Sequence, residues 1–337
     1  MNLPLAVSTG DPAGIGPVVS ARAATRLAGE ATCVLFGDGP RLQELVRVEG
    51  GVPHTLEAHA AWSLPGGVVG VVHVADWTDA CIAVHGPSAE GGVAQLRAID
   101  GAFDAVRAGK ASALVTAPAS KAAVVMGGVR FAGHTEYLAE RAGLANDEVT
   151  MLFLGPRLRT ALVTTHLPVR LAADAVTAAR VARATRHLAE AVTRMATPDA
   201  APRIVVAGLN PHAGEGGLLG NEDAESIAPG VEAAVREARD AGLRVTIEGP
   251  IPAETAFRWA AEGRVAGVVA MLHDQATIAS KVLDWGHAVN VTWGLPFVRT
   301  SVDHGVAYDA ARAGTGDAEG MEAAIRMAAE LTSGARG

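Results

Sequence analysis

The segment "RIVVAGL", residues 203–209, carries no polar residue after its arginine and runs directly into "NPHAGEGG" (210–217). An apolar run of this length, without polar alternation, reads as a strand covered on both faces. Similar runs stand at 3–9, 32–36, 69–74, 112–116, 150–154, 159–165, 244–249, 266–272 and 288–293. Between them lie helical patterns. In residues 91–109, Val93, Leu96, Ile99, Phe103 and Val106 recur at spacings of three and four, and Val181, Leu188 and Val192 mark the same period in 176–196. Strands alternating with helices specify a layered α/β fold.

A chain of 337 residues can form two domains, and no Gly/Ser linker or low-complexity tract separates them. Two lobes sharing a continuous sheet are therefore expected. The formal charge of -8 provides no basic face, which excludes a general nucleic-acid binder. Cys33 and Cys81 sit in apolar surroundings with no CxxC spacing, as expected of buried thiols in a reducing compartment. The start "MNLPLAVSTGDP" has no charged region followed by a long apolar one, and no apolar run reaches the roughly 20 residues of a membrane span. A cytoplasmic protein with no membrane partner is the expectation.

Three of the apolar runs deliver a histidine. His166 follows "RTALVTT", His212 follows "RIVVAGLNP", and His273 follows "AGVVAML". Open α/β sheets gather ligands outside the carboxyl ends of their strands. Three imidazoles brought to that edge suit one divalent cation, and three protein donors leave positions open for substrate, as in a catalytic metal site. Asp274, beside His273, is placed to orient an imidazole. Lys281 stands in an otherwise apolar stretch, and Asn290, Arg299, Asp303 and His304 thread a Gly/Pro-rich segment read here as a loop. Lys and Arg so placed can hold phosphate or carboxylate. In "FAGHTEYLAERAG" (131–143) a helix starts near Thr135, where amides, the Thr135 hydroxyl and His134 offer an anion cradle.

The motifs "STGDPAGIGP", "VTAPASK", "GHTEYLAE", "TTHLPV", "NPHAGEGG", "GPIPAETAF", "MLHDQ" and "VNVTWGLPFVRTSVDHGVAYD" follow one another in this chain. Together, from about residue 5 to 330, they resemble the 4-hydroxythreonine-4-phosphate dehydrogenase family of pyridoxal phosphate biosynthesis. The resemblance implies an isocitrate/isopropylmalate-dehydrogenase-like two-lobed fold with a sheet shared between lobes. The glycines at 10, 14 and 16 agree, since their spacing is not GxGxxG. The lobes are expected at 1–130 plus 304–337 (nucleotide side) and at 131–303 (metal, substrate and dimerisation).

The resemblance further implies a homodimer with its active site at the interface, the metal being held by His166, His212 and a His273 from the partner chain. Zn is the favoured metal, with Co, Ni, Mg or Mn as alternatives. His134, Thr135, Lys281, Asn290 and Arg299 would bind a small phosphorylated substrate, Lys281 and Asp274 would serve catalysis, and His304, Gly305 and Asp309 would bind NAD or NADP. The implied reaction is metal-dependent oxidation and decarboxylation of a phosphorylated four-carbon hydroxy acid. 4-Phosphohydroxy-L-threonine is the first candidate, D-threonate or D-erythronate 4-phosphate the second. A three-histidine hydrolase or aldolase is the reading from another class. Four residues depart from the family pattern: Glu254, Ala276, Trp293 and Arg312. Of these, Trp293 is expected to reshape the substrate pocket, and Arg312 either to meet a 2′-phosphate or to face solvent.

Overall fold

The computed structural model describes residues 3–197 and 199–333. They fall into two compact units, one comprising the residues up to Asn146 together with Leu295–Ser333, the other Asp147–Gly294. The expectation had put the passages at 130 and 304. The helix His134–Arg141 belongs to the first unit because it is tied to the helix Ala89–Arg107. The Tyr137 hydroxyl donates to Asp100 at 2.7 Å, and Arg141 pairs with Asp104 at 2.9 Å and Asp100 at 3.3 Å.

The strands of the first unit are β1 (Leu5–Ser8), β2 (Cys33–Gly37), β3 (Pro53–Leu56), β4 (Val69–His73), β5 (Ala113–Thr116) and, after the chain has passed through the second unit, β12 (Val298–Ser301). Among the described residues they lie in the order β3-β4-β2-β1-β5-β12, all parallel. The chain moves one way from β1 to β2 and the other way to β5, so a topological switch point lies between β1 and β5. The strands are buried throughout their centre, with Leu35, Phe36 and Leu114 among the fully buried side chains and Ile99 covering them from the helix Ala89–Arg107. Two strands were not foreseen. The edge strand β3, "PHTL", is mostly exposed and lacks an apolar run. The segment "VRTS" of β12 was read as loop because of its Gly/Pro-rich flank, yet its β-branched residues pair with β5, and Arg299 therefore lies on a buried strand.

The strands of the second unit are β6 (Thr150–Leu154), β7 (Arg159–Leu162), β8 (Arg203–Ala207), β9 (Thr246–Ile251), β10 (Gly267–Ala270) and β11 (Val289–Trp293). They lie in the order β11-β6-β7-β10-β8-β9. The trio β7, β10 and β8 is parallel, with Val268 opposite both Thr160 and Val205, whereas β6 runs antiparallel to β7 and to β11. Helix Ala178–Met195 buries Val181, Leu188 and Val192 as its period predicts. Its neighbour Ala228–Asp240 approaches closely at Gly230, where a Cβ would come within 2.6 Å of Val181.

Candidate active site

The three histidines leave the carboxyl ends of β7, β10 and β8, three adjacent parallel strands of the second unit. Side-chain hydrogen bonds stitch these ends together. The Thr164 hydroxyl donates to the Met271 carbonyl at 2.7 Å. Gln275 accepts from the amides of Met271 and Leu272 at 2.9 and 3.0 Å, and its Nε2 donates to the Gly208 carbonyl at 3.2 Å. The buried Asp223 carboxylate accepts from the amides of Leu209 and Asn210 and from Asn210 Nδ2.

His273 opens the helix His273–Leu283, and its ring centroid lies 5.5 Å from that of His166. His212 is carried further from its strand by an unusual turn. His212, Ala213 and Glu215 all have positive φ (54°, 52° and 44°), as do the three glycines among and after them. Only glycine adopts this region without strain, so the glycines share a left-handed run that Cβ-bearing residues resist. Among the described residues no three His, Cys, Asp or Glu side chains of one chain converge on a single ion site. The rings of His166 and His273 are the two brought near one another.

Two of the imidazoles are held for ligation. His273 Nδ1 meets Asp274 at 2.7 Å, and His212 Nδ1 meets Glu215 at 2.9 Å. A carboxylate can only accept, so each Nδ1 donates, and the neutral tautomer this selects has its lone pair on Nε2. This is how a carboxylate prepares a metal-binding imidazole. The donor set therefore fits a Zn-type cation. Asp274 touches the His273 ring, and Lys281 lies seven residues beyond Asp274 on the same helix, its Nζ 5.6 Å over the Trp285 ring. Asn290, on β11, has a sealed Oδ1 with no hydrogen-bond partner among the described residues.

In the first unit, the helix His134–Arg141 begins beside β5 and β12. Arg299 is almost fully buried and donates to the Thr116 hydroxyl at 2.6 Å. Burial pushes its guanidinium down to about 9, with Glu136 opposing, so it stays charged at neutral pH. His134 is held well below its ordinary value by burial and by the nearby charges of Arg299 and Lys121. Its Nε2 is sealed from solvent and has no hydrogen-bond partner among the described residues. Thr135 follows in the first turn. Thr116 and Lys121 were missed by the sequence reading, although a threonine closing an apolar strand was an available signal.

The segment from His304 to Asp309 is also in the first unit. His304 Nδ1 donates to the Gly305 carbonyl at 3.0 Å, and the exposed Asp309 pairs with Arg312. Tyr308 and Val306 dock this segment on the "GDPAGIG" turn. The Tyr308 hydroxyl donates to Asp11 at 2.8 Å, and the Ile15 amide donates to the Val306 carbonyl at 3.0 Å. A Cβ on Gly14 would strike Val306 at 2.2 Å, which explains the glycine. Burial raises Asp11 above the usual carboxylate range, and it also accepts from the Ala13 amide.

Residues 30–328 match the family described as "Pyridoxal phosphate biosynthetic protein PdxA". The chain belongs to this family. Among its relatives, the 4-hydroxythreonine-4-phosphate dehydrogenase of Chromobacterium violaceum is 40% identical, over 97% of this chain and 96% of its own. The crystal structure of the Klebsiella pneumoniae 4-hydroxythreonine-4-phosphate dehydrogenase superposes with a TM-score of 0.81 at 32% identity, covering 98% of this chain and all of that one. A β-decarboxylating dehydrogenase from Thermococcus kodakarensis shares the fold (TM-score 0.50, 13% identity, 99% of this chain and 84% of that one). The α/β, isocitrate/isopropylmalate-dehydrogenase-like expectation is thereby met, and this member of the PdxA family is an oxidoreductase. Membership sets aside the hydrolase or aldolase reading.

Within the PdxA family the four departures can now be placed. Trp293 does not shape the face that carries Asn290. Residues three apart on β11 face opposite sides of the sheet. The Trp293 indole donates to Glu190 at 2.7 Å, with Arg194 5.2 Å over its ring. Arg312 is taken up by Asp309 on its own helical turn. Ala276 is buried in a cluster with Met151, Phe153, Leu162 and Ala270. Glu254 is exposed and accepts a hydrogen bond from Thr255.

Proposed function

We propose that the protein oxidises and decarboxylates 4-phosphohydroxy-L-threonine with NAD or NADP, using a divalent cation, Zn by preference, on His166, His212 and His273. The observation that carries this reading is the pair of carboxylates on Nδ1 of two imidazoles at neighbouring strand ends. A divalent cation there supplies Lewis-acid polarisation of the substrate hydroxyl and of the ketone it becomes. His134, Thr135, Lys281, Asn290 and Arg299 are the residues assigned to the substrate in this reading. A nicotinamide cofactor would supply the hydride acceptor for the carbinol carbon, whose hydroxyl gives up its proton. Loss of CO2 leaves an electron pair at the neighbouring carbon, which takes up a proton relayed by Lys281. His304, Gly305 and Asp309 bind the nucleotide.

The working unit in this reading is a homodimer whose ligand set is completed between two copies. Val169, Leu218, Val282 and Trp285 support it, each more than three-quarters exposed on the unit that carries the histidines. Exposed apolar side chains of this size on the histidine-bearing unit are the material of an association surface. No helix among the described residues is long and apolar enough to cross a membrane. The free, buried thiols of Cys33 and Cys81 suit a cytoplasmic setting.

The test is NADH or NADPH formation at 340 nm by metal-loaded protein, with and without chelator. The substrates are 4-phosphohydroxy-L-threonine, D-threonate 4-phosphate, D-erythronate 4-phosphate and an aromatic dihydrodiol acid. Chelator-sensitive turnover of the first bears out the proposal. Turnover of another acid alone replaces the substrate, and silence with every acid overturns the reading.

A further inference from the structure

We propose that the hydrogen bond from Tyr308 to Asp11 is a latch that positions residues 304–309 for the nucleotide by holding Ala307 in a left-handed conformation. This rests on the reading of that segment as the one that binds NAD or NADP. The latch closes over the switch point of the first unit. Asp11 stands three residues beyond β1, and its amide donates to the carbonyl of Pro118, two residues beyond β5, at 3.2 Å. The two loops touch so closely that a Cβ on Gly10 would meet that carbonyl at 2.2 Å. The Tyr308 hydroxyl reaches this junction from a third segment, donating to Asp11 with the Ser120 hydroxyl beside it. Asp11 is 1% exposed, so a carboxylate oxygen that loses Tyr308 is left buried and short of a donor.

What the latch holds is strained. Ala307 has φ 48° and ψ 57°, a left-handed conformation that a Cβ resists. It stands between two docking points. On one side the Val306 carbonyl accepts from the Ile15 amide at 3.0 Å, and on the other Tyr308 reaches Asp11 at 2.8 Å. Residues other than glycine keep such a backbone only where their surroundings over-determine it, and they gather where ligands bind. Ala307 also precedes the helix Tyr308–Ala313, so its conformation sets the direction in which Asp309 leaves. His304 and Gly305 lie on the other side of the same bend, with His304 Nδ1 donating to the Gly305 carbonyl. The three residues assigned to the nucleotide therefore keep one arrangement only while Ala307 stays left-handed.

Tyr308→Phe removes the hydroxyl alone, Ala307→Gly removes the strain, and the double variant removes both. Amide hydrogen exchange of residues 304–313, followed in the metal-loaded protein without nucleotide, reads the latch itself. Titration with NADH and with NADPH, by quenching of tryptophan fluorescence, reads its consequence. Losing a hydrogen bond to a charged group shifts a local equilibrium by about tenfold to a hundredfold, and the left-handed cost of an alanine is about five- to thirtyfold. The glycine therefore offsets much of the loss. Tyr308→Phe should exchange faster and bind nucleotide about three- to tenfold more weakly, less than the full shift because the native segment starts almost wholly latched. The double variant should recover most of that affinity. In turnover, KM for the nucleotide should rise in Tyr308→Phe while KM for the phosphorylated acid stays as it is. Exchange as slow in Tyr308→Phe as in the native protein overturns the latch. Faster exchange with unchanged nucleotide affinity overturns the assignment of residues 304–309 to the nucleotide, and the proposal with it. A loss of affinity that the double variant does not recover overturns the role of Ala307. Thermal melts close to the native one will show that the variants are folded.

Discussion

Gln275 joins the carboxyl end of β10 to that of β8: its Nε2 donates to the Gly208 carbonyl while its Oε1 accepts the amides of Met271 and Leu272. The loops bearing His273 and His212 are therefore held by one side chain. Replacing Gln275 with Glu keeps the acceptor for both amides and removes the donor to Gly208, whereas Ala removes both. Groups that position metal ligands typically account for about 10- to 100-fold in affinity. Gln275→Ala should lose Zn affinity on that scale in a chelator competition, and Gln275→Glu should retain the helix start yet still bind metal more weakly. Equal affinity in all three proteins would show that the strand ends do not depend on this bridge.

Chelation should abolish turnover, and the metal donors should complement between chains. Mixed His212→Ala and His273→Ala subunits assemble one intact site if a site takes these two imidazoles from different chains. Activity recovered on mixing two inactive variants is the expected outcome. No recovery, in heterodimers shown to form, would place all three donors on one chain.

His187 should make stability depend on acid pH. It is buried, its Nδ1 donates to Thr150 at 2.8 Å, and Arg186 donates to its Nε2 at 3.0 Å, so protonation would set N–H against N–H. Burial, and then the charges of Arg186 and Arg183, bring its pKa down to about 3. Below the ordinary value of 6.5 the unfolded chain takes up a proton that the folded protein refuses. Stability is thus fully present above pH 6.5 and lost as pH falls towards 3, by about 1.4 kcal/mol per pH unit from this group. His134, shifted in the same direction, adds to the trend. Urea unfolding at pH 7.5, 6 and 5 should show a shallower pH slope in His187→Gln than in the native protein.

Trp293→Ile should leave KM and kcat within about twofold while lowering stability by about 1 to 2 kcal/mol, through loss of the indole hydrogen bond and the Arg194 contact. A large change in KM with unchanged stability would restore Trp293 to the substrate pocket.

Much of the site was legible because its chemistry is written in short-range patterns. Histidines at or within three residues of the ends of apolar runs reported strand ends, since a covered strand has no other way to present a polar side chain. The acidic neighbour of His273 could be named, as it is adjacent in the chain. Arg299 was recognised as an anion binder but assigned to a loop, because glycine and proline on its flank outweighed a four-residue strand whose existence depends on pairing with β5, 185 residues away at the Ser301–Thr116 contact. Thr116 and Lys121 went unnoticed for the same reason. Thr116 carried only the weak signal of a threonine closing an apolar strand and Lys121 none, and the pairing of β5 with β12 is what brings Thr116 to Arg299.

The sequence by itself determined the alternation of covered strands and amphipathic helices, the delivery of three imidazoles to strand ends, and the family. These follow from residue type and spacing, which act over a few residues. Tertiary structure alone decided that β7, β10 and β8 would be neighbours, that the His166 and His273 rings would meet while His212 sits on a left-handed turn, and that Trp293 would turn away from Asn290. Strand order and facing are set by the packing of segments far apart in the chain, where the free energy of burial outweighs any local preference.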